Sequence, residues 1–183
     1  MKPKEWHIKK YESELKDQQP WFEDEMRYGT RTIIGKKWTA EGHRPQTPMK
    51  YGYCYAYLFQ AVQPSTGKTF EMYLPNMSGE CFKIFMSSFA KKYPGQTMIM
   101  DNAGCHHVNW EEDHMPDVNI EYLSAYSPDF NPQERLFQEL RKPLKTKVYD
   151  NLKDIEEDLN QTLKEFWDKP QKVRNLTAWN WII

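Results

Sequence analysis

Cysteine is scarce in this chain: Cys54, Cys81 and Cys105 are widely spaced, and no C-x-x-C pair occurs. An odd, scattered set argues against a disulfide framework and favours a reduced, cytosolic setting. Cys105-His106-His107 offers soft ligands, but the sequence holds no second cluster to complete a four-ligand zinc site. No run of 18 apolar residues is present, so no membrane span is expected. The start, Met1-Lys2-Pro3-Lys4-Glu5, lacks the apolar stretch of a secretory signal. A charge excess is missing too: 25 basic and 26 acidic residues leave a net charge of −1. A free-standing nucleic-acid binder carries a marked positive surplus. Any grip on a polyanion must therefore come from local patches, such as Arg141-Lys142 and Lys145-Thr146-Lys147, or from another part of the assembly. There is no internal repeat and no low-complexity segment.

What the chain does have is aromatic and apolar mass. Of its 183 residues 39% are hydrophobic and 15% aromatic, enough for one domain with a good core. Residues 3–16 are charged with scattered apolar positions and predict a short exposed helix, closed by Gln18-Gln19-Pro20. Strands are expected over Trp21–Tyr28, over 32–39, over Lys50–Val62 and over Lys68–Leu74. In the third of these, Tyr51, Tyr53, Tyr55 and Tyr57 alternate on one face, a half-buried sheet face in preference to a base-stacking platform. The period then changes. Phe82, Phe85, Met86 and Phe89 mark one helix face, with Ser78 as N-cap and Pro94-Gly95 as the stop. Thr97–Met100 is a short apolar strand of the kind buried on both faces, and 118–123 is another. Asn131-Pro132 opens a helix carrying Leu136, Phe137, Leu140 and Leu144. A last helix runs from about Asn151 to Trp167. The order β-β-β-β-α-β-β-α-α fits an α/β fold of ribonuclease H-like type: a mixed sheet, antiparallel strands followed by parallel ones, flanked by helices.

Three acidic residues stand out. Asp24 lies in F-E-D-E, Asp101 follows Met98-Ile99-Met100, and Glu134 opens the Asn131-Pro132 helix. An apolar strand ending in a carboxylate delivers it to the mouth of a site. Carboxylates brought together on separate rigid elements repel one another unless a cation lies between them. The pattern therefore predicts a hard-metal site suited to phosphodiester chemistry. Each residue also has a plainer role: Glu134 as the glutamate of a capping box with Asn131, and Asp101-Asn102 as a turn. For Asp24 the alternatives are its neighbours Glu23 and Glu25. Phe22 shares a face with Asp24 in a strand, which favours Asp24 as the inward carboxylate. Asp129 is expected to cap or brace its loop.

The segments M-D-N-A-G-C-H-H and L-S-A-Y-S-P-D-F-N-P-Q-E-R-L-F-Q-E-L-R resemble the catalytic core of DDE transposases. The resemblance is to the mariner-like superfamily and its bacterial insertion-sequence branch. W-F-E-D-E-M-R-Y-G, G-K-K-W-T-A-E-G-H-R-P and L-T-A-W-N-W-I resemble further blocks of that branch, so the likeness runs from Trp21 to Ile183. The 32 residues between Asp101 and Glu134 match the superfamily's spacing. The resemblance implies Asp24, Asp101 and Glu134 as catalytic carboxylates and metal ligands. It implies two Mg²⁺ or Mn²⁺ ions with DNA bound, and strand cleavage and strand transfer by two-metal phosphoryl transfer. His106 matches a family histidine five residues after the second carboxylate, and with Asn102, Arg141 and Lys145 it is a candidate for contact with substrate; a hydrogen-bonded loop residue and a solvated helix face are the respective alternatives. The implied partners are transposon-end and target DNA, a second copy when active, and a helix-turn-helix chain or domain upstream, in the bacterial cytoplasm at the nucleoid. Residues 1–20 stand where such modules would be, as a connecting helix or remnant, with 21–183 as the catalytic domain. The chain is accordingly expected to be a second reading frame, a degenerate copy or an excised domain. A cellular ribonuclease H-like nuclease and a truncated, non-catalytic interaction module are the competing functions.

Overall fold

The computed structural model describes residues 8–9, 11–110, 116–123 and 128–182. Five strands form one sheet: β1 (Trp21–Gly29), β2 (Tyr55–Gln63), β3 (Lys68–Leu74), β4 (Gln96–Met100) and β5 (Val118–Tyr122). Their spatial order is β3-β2-β1-β4-β5. The β1–β2 and β2–β3 pairs are antiparallel, and β1–β4 and β4–β5 are parallel. This is the ribonuclease H-like mixed sheet expected from the sequence. Helix α1 (Gly79–Lys92) makes the crossover from β3 to β4. Helices α2 (Gln133–Arg141), α3 (Leu152–Asp168) and α4 (Pro170–Thr177) follow β5. No helix among the described residues is long and apolar enough to cross a membrane.

The pleat divides the core in two. Phe22, Met26, Leu58, Val62 and Ile99 meet α2, α3 and α4 through Leu136, Phe137, Leu140, Leu159, Leu163, Phe166 and Val173. Trp21, Phe59, Ala61, Met98 and Met100 meet α1 through Phe82, Phe85, Met86 and Phe89. Each large side chain buried this way contributes roughly 1.5–3 kcal/mol. The helices start where their caps are. Ser78 Oγ accepts the Cys81 N–H at 3.3 Å, and Asn151 Oδ1 accepts the Asp154 N–H at 3.0 Å. The turn after β2 ends at Gly67 (φ 76°), where an added Cβ would strike the Pro170 carbonyl.

Three expectations need correction. Residues 32–39 do not form a strand; Ile33 makes one isolated bridge to Lys145. β2 takes the antiparallel edge of β1, and 32–39 is left with scattered bonds at its start, from Thr32 to Lys50 and from Ile33 to Thr146, in place of a ladder. The tyrosine row is not one sheet face either. β2 starts only at Tyr55, and Tyr51 and Tyr53 precede it as exposed residues. Helix α4 was not foreseen, because Pro170 marks a break at the same point where it suits a helix's first turn.

The amino-terminal segment is described in part. Tyr11–Leu15 forms a π-helical turn and Lys16–Gln18 a 3₁₀ turn. Glu12, Ser13 and Glu14 are exposed, whereas Tyr11 and Leu15 are buried in the α2–α3 core. The Tyr11 ring packs on Phe22 and edge-on against Trp181, and its hydroxyl donates to the Ile182 carbonyl at 3.3 Å. The expected exposed helix is therefore anchored along one side. Tyr11→Ala is expected to lower unfolding free energy by about 3 kcal/mol. Glu12→Ala should stay within about 0.5 kcal/mol. Urea denaturation of both variants checks this.

Candidate active site

Asp24 sits where the parallel ladder stops. The β1–β4 register pairs Trp21 with Met98 and Phe22 with Ile99. Two residues further along each strand are Asp24 and Asp101, on the same face as Phe22 and Ile99. β4 ends at Met100, and beyond Phe22 β1 pairs, among the described residues, with β2 alone. The site therefore opens at the carboxyl end of β4, beside an uncovered stretch of β1, the kind of position where α/β sheets bind ligands.

Asn131 fills that gap. Its Nδ2 donates to the Glu23 carbonyl at 2.8 Å, and its Oδ1 accepts the Gln133 N–H at 3.0 Å. One buried side chain thus takes up a carbonyl next to Asp24 and caps the helix that carries Glu134. The clamp extends sideways. Gln133 Nε2 donates to Gln60 Oε1, and Gln60 Nε2 donates to Glu71 Oε1 at 3.0 Å. Glu71 also accepts the Trp167 indole N–H at 3.0 Å. Gln60 is the antiparallel neighbour of Asp24. These buried amide bonds fix α2 against β1 and β2 more sharply than apolar packing alone, although Gln133 Oε1 finds no hydrogen-bond partner among the described residues.

The charges of Asp101 and Glu134 reach Asp24, although the three carboxylates do not draw together within 4.8 Å of one another. Burial raises Asp24, and the 2.8 Å bond from the Glu25 N–H to its Oδ1 opposes this. The charges of Glu25, Glu134 and Asp101 raise it further, and the result lies at about 7. Asp24 therefore feels both other candidate carboxylates, which arrive from the β4 exit and from the first turn of α2. Asp101 is exposed, and its Oδ1 accepts the Ala103 N–H at 2.9 Å in an Asx-type turn. The Glu134 side chain is partly exposed, 3.9 Å from Arg141 Nη1. Three oxygen-donor groups on three elements make a hard donor set, which suits Mg²⁺ or Mn²⁺.

The other candidates fall around this centre. His106 is buried, with Nδ1 2.9 Å from the Asp101 carbonyl and 3.1 Å from Asp101 Oδ1. Facing two acceptors, Nδ1 carries the proton. Asn102 is exposed and pairs with His107 Nε2 at 2.6 Å. Arg141 lies over the Phe137 ring. Lys145 is exposed beyond the end of α2, with its backbone bridged to Ile33. Asp129 is exposed in a 3₁₀ turn; the neighbouring 124–127 of the Ser-Pro segment lie outside the described residues.

Sequence reasoning missed the opposite face of β1. There Glu23 and Glu25 point away from Asp24 and are buried with His106. His106 Nε2 is 3.0 Å from Glu25 Oε1 and 3.7 Å from Glu23 Oε2. Burial opposes a charge on His106, but the Cys105 and Glu25 bonds and the Glu23 and Glu25 charges outweigh it and carry it up to about 12. Glu23 is pushed well upward by burial and by Glu25. The available signal was the alternation Trp21, Glu23, Glu25 on a strand face that should be apolar.

Comparison with known proteins follows the same lines. Residues 19–156 match the family described as DDE superfamily endonuclease. A search of curated proteins by sequence returned no match. Among solved structures, a Mos1 mariner paired-end complex with Mn is similar at a TM-score of 0.67 and 14% identity, over 96% of this chain and 58% of that one. The Mos1 transposase paired-end complex with the left transposon end gives 0.61 and 14%, over 97% and 61%. The catalytic domain of Mos1 mariner transposase gives 0.60 and 13%, over 98% and 88%. At these identities the likeness is one of fold. The chain spans about three fifths of the transposase chains in the DNA complexes.

Two outcomes follow from the geometry. Folded Asp24 holds its proton up to about 7, whereas an unfolded aspartate releases it near ~3.9. The folded state therefore binds more protons across that window, and metal-free stability falls as pH rises through it. Asp24→Asn should flatten this fall, measured by thermal melts from pH 4 to 8 in chelator. Asn131→Ala leaves the Glu23 carbonyl and the Gln133 N–H without this partner and should cost about 2 kcal/mol or more in urea denaturation.

Proposed function

Because the chain belongs to the DDE superfamily of endonucleases, we propose that it is the catalytic domain of a transposase, cleaving DNA strands and joining the freed ends to a target. The observation that carries this reading is geometric: Asp24 and Asp101 lie two residues beyond the paired Phe22 and Ile99, and Asn131 ties the helix that bears Glu134 to the same strand. Asp24, Asp101 and Glu134 are the residues that would hold the divalent cations. Two Mg²⁺ or Mn²⁺ ions, when bound, would supply an activated water or 3′-hydroxyl and neutralise the leaving oxygen. Solved Mos1 complexes with Mn and with Mg support divalent metal for this fold.

The chain's own contributions are positional. Asn131 and the Gln133–Gln60 pair hold α2, and so Glu134, beside β1. His106 holds the first residue after β4 through both its carbonyl and its carboxylate. Arg141 and Lys145 are offered to DNA phosphates, and exposed Asn102 to the sugar–phosphate backbone at the site mouth. With a net charge of −1 this domain grips DNA weakly by itself. Transposon-end recognition therefore falls to a helix-turn-helix partner or domain, and the active form to a pair of catalytic domains. Residues 1–20 connect to that region, and the setting is the bacterial cytoplasm at the nucleoid.

With Mn²⁺ present, the purified chain is expected to nick duplex DNA in preference to an RNA–DNA hybrid. Asp101→Ala should reduce nicking by more than about 100-fold, beyond the 10–100-fold typical of losing an outer partner. His106→Ala should fall within that smaller range. Gel assays of nicked and linear products at several salt concentrations check both; undiminished nicking by Asp101→Ala contradicts the assignment.

A further inference from the structure

We propose that Glu23, Glu25, Cys105 and His106 form a separate metal site, for Zn²⁺, on the face of β1 opposite Asp24. Strand alternation separates the two sites: Glu23 and Glu25 point one way and Asp24 the other. Ligand atoms of Glu25, Cys105 and His106 lie within 4.8 Å of one another. Glu23 lies outside that group but has Oε2 3.7 Å from His106 Nε2, and on metal binding it would turn in as the fourth ligand. It is 0% exposed, and neither of its carboxylate oxygens has a hydrogen-bond partner among the described residues. A buried carboxylate lacking a hydrogen bond needs a proton or a cation beside it; here His106 at 3.7 Å fills that role, and a bound metal ion would take it over.

The spacing suits a tetrahedral ion. Zinc–ligand lengths put two nitrogen or oxygen ligands ~3.4 Å apart at the tetrahedral angle, and a sulfur and an oxygen ~3.6 Å apart. Observed separations are 3.0 Å for His106 Nε2 to Glu25 Oε1 and 3.7 Å for His106 Nε2 to Glu23 Oε2. Cys105 Sγ to Glu25 Oε1 is 3.9 Å. Small shifts bring Glu25, Cys105 and His106 to these lengths, whereas the Glu23 carboxylate has to swing inward by more than an ångström to complete the shell.

The outer contacts fit as well. A metal-binding histidine usually donates its remaining N–H to a carboxylate or carbonyl, which fixes its tautomer. His106 Nδ1 has both at hand, the Asp101 carbonyl at 2.9 Å and Asp101 Oδ1 at 3.1 Å. The Phe82 ring lies 4.8 Å from the imidazole and shields that side. A thiolate, an imidazole and two carboxylates form a mixed set that favours zinc over magnesium. The ion would tie β1 to the loop after β4, and so brace the two elements that carry Asp24 and Asp101. This site does not depend on the transposase reading.

The full chain, stripped of metal with a strong chelator and dialysed, is titrated with Zn²⁺ in excess Mg²⁺ against a chromophoric competitor, and separately with Co²⁺. The expected result is one tight zinc per chain, a raised melting temperature, and a thiolate-to-cobalt charge-transfer band. Cys105→Ser should abolish the band, and both Cys105→Ser and Glu23→Gln should weaken zinc binding at least tenfold while the circular dichroism stays native. Asp24→Asn should leave zinc binding and the band unchanged. Absence of tight zinc binding, absence of the thiolate band, or binding that survives Cys105→Ser and Glu23→Gln but is lost in Asp24→Asn overturns the proposal.

Discussion

Three successive carboxylates on the central strand impose the main constraint on this molecule. Glu23, Asp24 and Glu25 cannot share one face, and the pleat sends them to two. Asp24 lies on the face covered by α2 and α3, in line with Phe22 and Met26. Glu23 and Glu25 lie on the face covered by α1, in line with Trp21. Each face must then neutralise buried negative charge by different means. On one, the strand opens to solvent, and burial together with the charges of neighbouring carboxylates raises the Asp24 carboxyl so that it keeps its proton. On the other, a buried histidine stands between the two glutamates. The surrounding elements are arranged to make both solutions possible.

The point where β4 leaves β1 carries much of that arrangement. A ladder that ends in the middle of a sheet exposes carbonyls that need donors. Asn131 supplies one from outside the strand and caps α2 with the same side chain. Local capping, sheet termination and the placement of Glu134 are therefore one structural event. The buried amide chain through Gln133 and Gln60 to Glu71 carries this rigidity across to β3 and α3. A constellation intended for charged ligands gains from such support, since small displacements of a carboxylate are costly in phosphoryl-transfer sites.

Much of this was legible in the residues. The apolar run ending at Asp101, the Asn131-Pro132 start before Glu134, and the Ser78 cap all rest on local rules that tertiary packing did not override. The choice of Asp24 over Glu23 and Glu25 rested on which apolar residues share its face, and the structure gives Asp24 the charges of Asp101 and Glu134 as neighbours. Other features depended on contacts distant in the chain. Residues 32–39 carry a strand-like pattern but make scattered bonds in place of a ladder. Cys105-His106 looked incomplete as a ligand set because the glutamates beside it come from a strand some eighty residues earlier. The buried role of Tyr11 depends on Trp181 and Ile182 at the other end of the chain.

Anomalous diffraction from crystals equilibrated with Mn²⁺ addresses the central claim most directly. The account predicts manganese bounded by the carboxylates of Asp24, Asp101 and Glu134, on the α2 side of the sheet. Saturating Mn²⁺ that leaves this position empty, or ions held only by other residues, would contradict it.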